Sequence, residues 1–297
     1  MTYAPVIVFT YNRADKAQIV LESLDHNLLA PETDLYIFND AGNDLKTGDH
    51  EKVAKVREYL EVFRTNNHFK KVQITMAPEH KGLAASVISG VTDIIHRYGK
   101  VIVTEDDLVS HVNYLNYAND ALNYYKDNPQ IWSISSYNLP MKTCEGRKDV
   151  YFTYRGCSYG WATWADRWDT VDWTMADYKR LPWDLKYMKK LNHAGRDLFV
   201  MLRDQKRGII DSWAVRWVFA QVKNELLTVY PGQSLIHNIG FDGSGAHGVV
   251  EENTDNETYT TLGPVPYHFT DVKMEKELLN EFATFYEDPW FHTVQKF

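Results

Sequence analysis

The sequence predicts an α/β protein with a doubly wound, mostly parallel sheet flanked by helices, continued by a mixed α/β second half. Three observations predict it. Short apolar runs of strand length alternate with amphipathic stretches of helical period through the first 135 residues. The connections between them are short, as in chains of right-handed crossovers between parallel neighbours. The strand runs are apolar at successive positions, which suits strands covered on both faces.

The elements follow in order. Residues 5–10 (PVIVFT) read as a buried strand closed by Asn12 and Arg13, and Ala17, Val20, Leu21 and Leu24 then share one helical face. Residues 35–38 form a second strand that ends at Asn39 and Asp40, with turn chemistry in Ala41, Gly42, Asn43 and Asp44. Val53, Val56, Leu60 and Phe63 mark a second helix, and residues 71–76 a third strand before Pro78, Glu79, His80, Lys81 and Gly82. A third helix over 83–98 leads to the strand KVIV and the acids Glu105, Asp106 and Asp107. A fourth helix carries Val112, Leu115, Ala118, Leu122 and Tyr125 and stops at Asn128–Pro129, ahead of a strand over 131–135.

From about Met141 the character changes. A strand over 151–154 leads to an aromatic loop over 155–161, a helix over 185–205, a Trp-rich helix over 212–222 and a strand over 226–230. Residues 237–248 (HNIGFDGSGAHG) hold four glycines and read as a mobile loop, and a last helix covers 272–286. Residues 1–140 and 141–297 read as two halves of one compact domain, with no flexible linker between them.

Bulk properties narrow the function. A formal charge of -8 argues against a general nucleic-acid binder, which would show a basic face. Cys144 and Cys157 match no zinc spacing and make no disulfide framework. No basic leader precedes the first strand, and no apolar run approaches the roughly 20 residues of a membrane span. A cytoplasmic location is expected, with peripheral contact at the inner face of the membrane left open. The 41 aromatic residues (9 Trp, 19 Tyr, 13 Phe) suit a core and equally suit sugar rings, so composition does not choose between them.

The acids carry the chemistry. Three adjacent carboxylates at the end of a buried strand repel each other and are costly to bury unpaired. A divalent cation accounts for them, since hard oxygen ligands suit magnesium or manganese. Ligands of open α/β sheets lie outside the carboxyl ends of the strands, so a phosphate-bearing ligand held through that cation is the expectation. The competing reading is an ordinary exposed acidic loop. Neither G-x-x-x-x-G-K-[ST] nor G-x-G-x-x-G follows a strand, and there is no G-x-S-x-G elbow.

Five islands then stand in order: PVIVFTYNR, the strand-end Asp40, VIVTEDDL, YGWATW with Trp168, and IIDSW leading to IGFDGSGAHG. With these the chain resembles glycosyltransferases of the GT-A fold, and among them the N-acetylglucosaminyltransferase I-like group and related bacterial transferases. The membrane anchor of the eukaryotic members is missing, which suits a cytoplasmic, bacterial-type enzyme. The resemblance implies a nucleotide-sugar donor (a UDP-sugar), a divalent metal (Mn2+ or Mg2+), inversion at the anomeric carbon, and a glycan or lipid-linked saccharide acceptor. It implies that Asp107 binds the metal and that Glu105 and Asp106 contact the donor's sugar and ribose hydroxyls. Asp40 falls where the uracil edge is read, Thr10, Arg13 and His80 near the nucleotide, Gly245 by the donor, and Asp211 where the catalytic base stands.

Some positions carry two readings. Asp211 precedes a helix and could be its N-cap. Asp40 could be a turn acid, and His80 a surface-loop histidine. His247, among glycines, reads as a metal ligand or a phosphate contact. Trp161 reads as a sugar platform or as core. Two other functions stay open. A sugar nucleotidyltransferase shares the sheet and the acids, though the glycine- and arginine-rich N-terminal loop is lacking. A non-catalytic carbohydrate-binding protein is opposed by the intact acids and Asp211.

Overall fold

A computed structural model describes residues 2–183, 191–241 and 267–286. Strands β1 (Val6–Thr10), β2 (Asp34–Asn39), β3 (Lys71–Met76) and β4 (Lys100–Glu105) pair in the order β3-β2-β1-β4, all parallel. Between them run α1 (Ala14–Asp25), α2 (Asp49–Thr65) and α3 (Leu83–Tyr98). This is the doubly wound arrangement that the sequence predicts.

The sheet does not stop at residue 140. It continues through β8 (Trp161–Trp164), β6 (Ile131–Ser135), β9 (Leu227–Pro231) and β7 (Val150–Thr153). β8 lies antiparallel between β4 and β6; β6 and β9 are parallel, and β7 closes the edge antiparallel to β9. A small second sheet pairs β5 (Leu108–Ser110) with β10 (Ile236–Asn238), antiparallel. Further helices among the described residues include α4 (Tyr114–Tyr125), the short α5 (Ala165–Trp168), α6 (Asp197–Lys206), α7 (Trp213–Lys223) and α8 (Lys276–Thr284).

Strand alternation divides the core into two layers. Val6, Val8, Leu35, Ile37 and Ile102 face the buried sides of α1, α2 and α4. Ile7, Phe9, Tyr36, Val101 and Val103 face α3 and the tryptophans of α7. On that second face Trp161 stacks on Trp168 and Trp213, and Trp217 tilts against it at 4.6 Å between ring centroids.

Three sequence expectations change. The aromatic loop of 155–161 runs into a strand, β8, whose four residues are too short to show a period. Trp161 packs on the face of α3 and α7, while Ala162 and Trp164 pack on the other. The helix expected over 185–205 is broken where described. Residues 191–194 are helical, Gly195 takes a φ of 128°, and helix resumes at Asp197. A Cβ at Gly195 would press on Arg155 and Asp197, whose bidentate ion pair occupies that space. The loop expected from residue 237 begins as strand β10. Among the described residues no helix is long and apolar enough to cross a membrane.

Candidate active site

Parallel pairing brings the carboxyl ends of β1, β2, β3 and β4 to one edge. Thr10 registers with Asn39, Asn39 with Met76, and Phe9 with Glu105. These ends and the loops that follow them carry Arg13, Asp40, His80 and Glu105–Asp107, so the sheet assembles residues that are up to 94 positions apart in the chain.

Arg13 closes on the acids. Its Nη2 donates to Oδ1 of Asp106 and, at 2.8 Å, to Oδ2 of Asp107. The backbone N–H of Tyr11 donates to the other oxygen of Asp106 at 3.2 Å. Burial raises the Asp106 carboxyl above the usual range, against the pull of Arg13. Nη1 of Arg13 is buried with no hydrogen-bond partner among the described residues. The Glu105 side chain has no hydrogen bond from a described residue. Burial, then Asp107 and Asp106, push its carboxyl up to about 8, against Arg13.

These donors fit a hard divalent cation. Asp107 keeps one oxygen clear of Arg13, and Glu105 is a carboxyl without a partner among the described residues that a nearby cation would hold ionised. No cluster of three or more His, Cys, Asp or Glu groups able to hold a metal occurs among the described residues. Asp107 and Glu105 thus offer at most a partial carboxylate set. Magnesium-type ions use such sets, taking one or two carboxylates plus substrate phosphates and water.

Asp40 is buried, and its carboxylate is turned onto the loop after β3. Oδ1 accepts the N–H groups of Ala41 and Lys81, each at 2.9 Å, and Oδ2 accepts that of Gly82 at 2.8 Å. His80 Nδ1 lies 3.1 Å from the same Oδ2 and 2.9 Å from the carbonyl of Ala41. Asp40 is thus a staple between the ends of β2 and β3, and a base edge would have to share its oxygens. Beside it opens a cleft of about 740 Å³ lined by Ala41, Asn43, His50, Arg57 and His80 among others. Thr10 is buried at the end of β1, with its hydroxyl accepting from Asn39 at 3.1 Å.

Trp161 is 1 % exposed and packed against three other tryptophans. A sugar platform needs an open ring face, so Trp161 is a core residue. Its register opposite Val103 still sets it beside the end of β4, and Trp213 stacks on it at 5.1 Å. The first residue of α7 is thereby packed on the sheet close to the end of β4. Asp211 lies two residues ahead of Trp213, 72 % exposed, and accepts from Arg216 at 2.6 Å. The N-cap of α7 is Ser212, whose Oγ accepts from the N–H of Val215, so the capping role considered for Asp211 falls to its neighbour. At that exposure the Asp211 carboxylate stays in contact with solvent.

The β5–β10 sheet places Gly240 against the acids. Ile239 donates its N–H to the carbonyl of Asp107 at 2.8 Å, and Gly240 donates to Oδ1 of Asn238 at 2.7 Å. A Cβ on Gly240 would collide with Oδ2 of Asp107. Gly245 and His247, and the glycine loop beyond residue 241, lie outside the described residues.

Sequence reasoning missed Gly240's contact and also Tyr11, Asn12 and Asp49, which form a hydrogen-bonded set beside the acids. The available signal was a Tyr-Asn pair directly after a strand and an Asp opening a helix.

Fold and site define a class: an α/β protein whose sheet edge gathers three acids and an arginine, with a cleft beside Asp40. No protein-family model matches the chain, and no curated protein matches it. Among solved structures it is similar to the mannosyltransferase PcManGT from Pyrobaculum calidifontis in complex with GDP-Man and Mn2+. Identity is 15 % and the TM-score 0.38, over 56 % of this chain and 46 % of that one. It is also similar to S. aureus TarS 1–349, at 11 % identity and a TM-score of 0.42, over 77 % of this chain and 60 % of that one. Both alignments span less than two thirds of the other chain's length.

Proposed function

We propose that the protein is a metal-dependent, inverting glycosyltransferase. It moves a hexosyl or N-acetylhexosaminyl group from a UDP-sugar to a hydroxyl of a glycan or lipid-linked saccharide. The observation that carries the reading is the acidic triplet at the end of β4, two of its carboxylates gripped by Arg13. Asp107, with Glu105 near it, would hold the cation, which when bound offsets the charge of the leaving diphosphate.

The chain's own groups do the rest. Arg13, with an unspent buried N–H, donates to a phosphate oxygen. Asp106, already ordered by Arg13 and Tyr11, is set to accept from a ribose hydroxyl. Asp40 and His80 shape the base end of the cleft. Asp211 takes the proton of the acceptor hydroxyl as general base; its exposure leaves it open to an incoming acceptor, and the Trp161–Trp213 stack supports its placement. An inverting displacement needs one such base and no covalent intermediate.

The test is a panel of UDP, CDP, GDP and their sugars, read by thermal shift with Mn2+ and by donor hydrolysis with and without chelator. Bound ligand raises the melting temperature by mass action. UDP and a UDP-sugar should give the largest shift, and hydrolysis should stop with chelator. A panel with no shift and no hydrolysis sinks the reading. Pyrophosphate release from UTP and a sugar phosphate would replace it with a nucleotidyltransferase.

A further inference from the structure

We propose that Asp49 is a positioning residue of the donor site, acting through Tyr11 and Asn12 on Arg13. The inference rests on the donor reading above and deepens it.

Asp49 opens α2 and is 3 % exposed. A buried carboxylate is costly unless it is hydrogen-bonded, and this one has three donors. They are the Tyr11 hydroxyl, the Asn12 amide at 2.5 Å and the Asn43 N–H at 2.7 Å. Burial pushes the Asp49 carboxyl up, but the Asn43, Tyr11 and Asn12 donors outweigh it and leave the group below its ordinary range. It is an anion held at a helix N-terminus, where the backbone dipole favours it.

The donors come from two loops, one after β1 and one after β2. Tyr11 and Asn12 look toward Asp49 with their side chains. The Tyr11 N–H looks the other way, to Asp106, and Arg13 then grips Asp106 and Asp107. Residues 11–13 are thus a strap pinned at one end to α2 and at the other to the acidic triplet. The Tyr11 ring also tilts against His80, 5.3 Å between centroids, which ties in the loop after β3. Asp49 touches no ligand group of the proposed site, yet it fixes the chain segment that carries Arg13. Without it the strap keeps its acidic end, the Asn39 amide on the Tyr11 carbonyl at 3.0 Å and the His80 ring, but loses the carboxylate that orders both side chains ahead of Arg13, so the guanidinium is held less firmly toward a phosphate.

The experiment compares wild type, Asp49→Ala, Asp49→Asn and Tyr11→Phe, using UDP with Mn2+ by calorimetry well below the melting temperature. KM and kcat for the donor are measured alongside. Asp49→Ala should weaken UDP binding about tenfold, the scale of one charge-assisted hydrogen bond, with a larger change in KM than in kcat. Asp49→Asn should recover most of the affinity, because an amide oxygen still accepts from Tyr11 and Asn43 and the Asn12 amide can turn to suit it. Tyr11→Phe keeps the ring and loses one donor, so it should bind about threefold more weakly. If Asp49→Ala does not fold, Tyr11→Phe and Asp49→Asn decide. Wild type that binds UDP while folded Asp49→Ala, or Tyr11→Phe, binds it equally well overturns the role of Asp49 alone. Wild type that binds no UDP overturns the donor reading and this role with it.

Discussion

Arg13 and Asp107 are 94 residues apart in sequence and 2.8 Å apart at the sheet edge, joined through a nitrogen that also serves Asp106. One guanidinium therefore carries the positive charge for two carboxylates. The third, Glu105, is left without a hydrogen bond among the described residues. That imbalance is what a divalent cation and a diphosphate would complete.

Removing the outer acid tests the cation directly. Asp107→Ala should abolish the Mn2+-dependent part of UDP binding while leaving the melting temperature nearly unchanged, because the side chain is partly exposed and Arg13 keeps Asp106. Calorimetry with and without Mn2+ reads both quantities. UDP affinity that stays metal-dependent in this variant would move the metal site elsewhere.

Gly240 gives a steric test of the same place. Gly240→Ala puts a methyl group onto Oδ2 of Asp107 and must displace either that carboxylate or the turn after β10. Donor KM should rise by about tenfold or more, with a stability change within the usual range for one substitution, about 1 kcal/mol. A variant with native KM and native stability would show that the turn yields without cost to the site.

The proposed base calls for a kinetic test. Asp211→Asn keeps size and polarity but cannot accept the proton, so kcat should fall by roughly 10²–10⁴-fold. UDP affinity and melting temperature should hold, because Ser212 caps α7 and Asp211 is exposed. Near-native turnover would assign the base to another carboxylate. A product of retained anomeric configuration would reject the mechanism whatever the variant does.

Arg147 and Glu275 make a pH-dependent tie between the segment before β7 and the start of α8, at 2.6 Å. The hydrogen bond from Arg147 holds the Glu275 carboxyl below its ordinary range. With the folded pKa depressed, the unfolded chain binds the proton more readily. The stabilisation is complete above the ordinary Glu value of about 4.3 and fades as pH falls through the folded pKa. Glu275→Gln should lower the melting temperature slightly at pH 7, by less than about 1 kcal/mol of stability for a pair this exposed. Wild type and variant should converge in acid. Melting curves between pH 3 and pH 7, about the ordinary Glu value, would record a constant gap if the tie were purely steric.

Periodicity and strand-end acids were enough to read the first half from the chain. The runs at 71–76 and 131–135 became β3 and β6 with the same bounds: β6 is buried along its whole length, and the edge strand β3 shows itself by alternation of Val72, Ile74 and Met76 with polar residues. Glu105, Asp106 and Asp107 were placed at the carboxyl edge for the same local reason. The sequence also carried the order of islands on which the resemblance rests. Only the tertiary structure decided which distant groups meet. Arg13 reaches Asp106 because β1 pairs in parallel with β4, and Asp49 reaches Tyr11 because α2 returns along the same edge. Only packing showed that Trp161 is sealed while Asp211 is open, a difference absent from their neighbourhoods in the chain. Exposure is set by what comes to lie over a residue, and here the cover for Trp161 is supplied by α7, some fifty residues away.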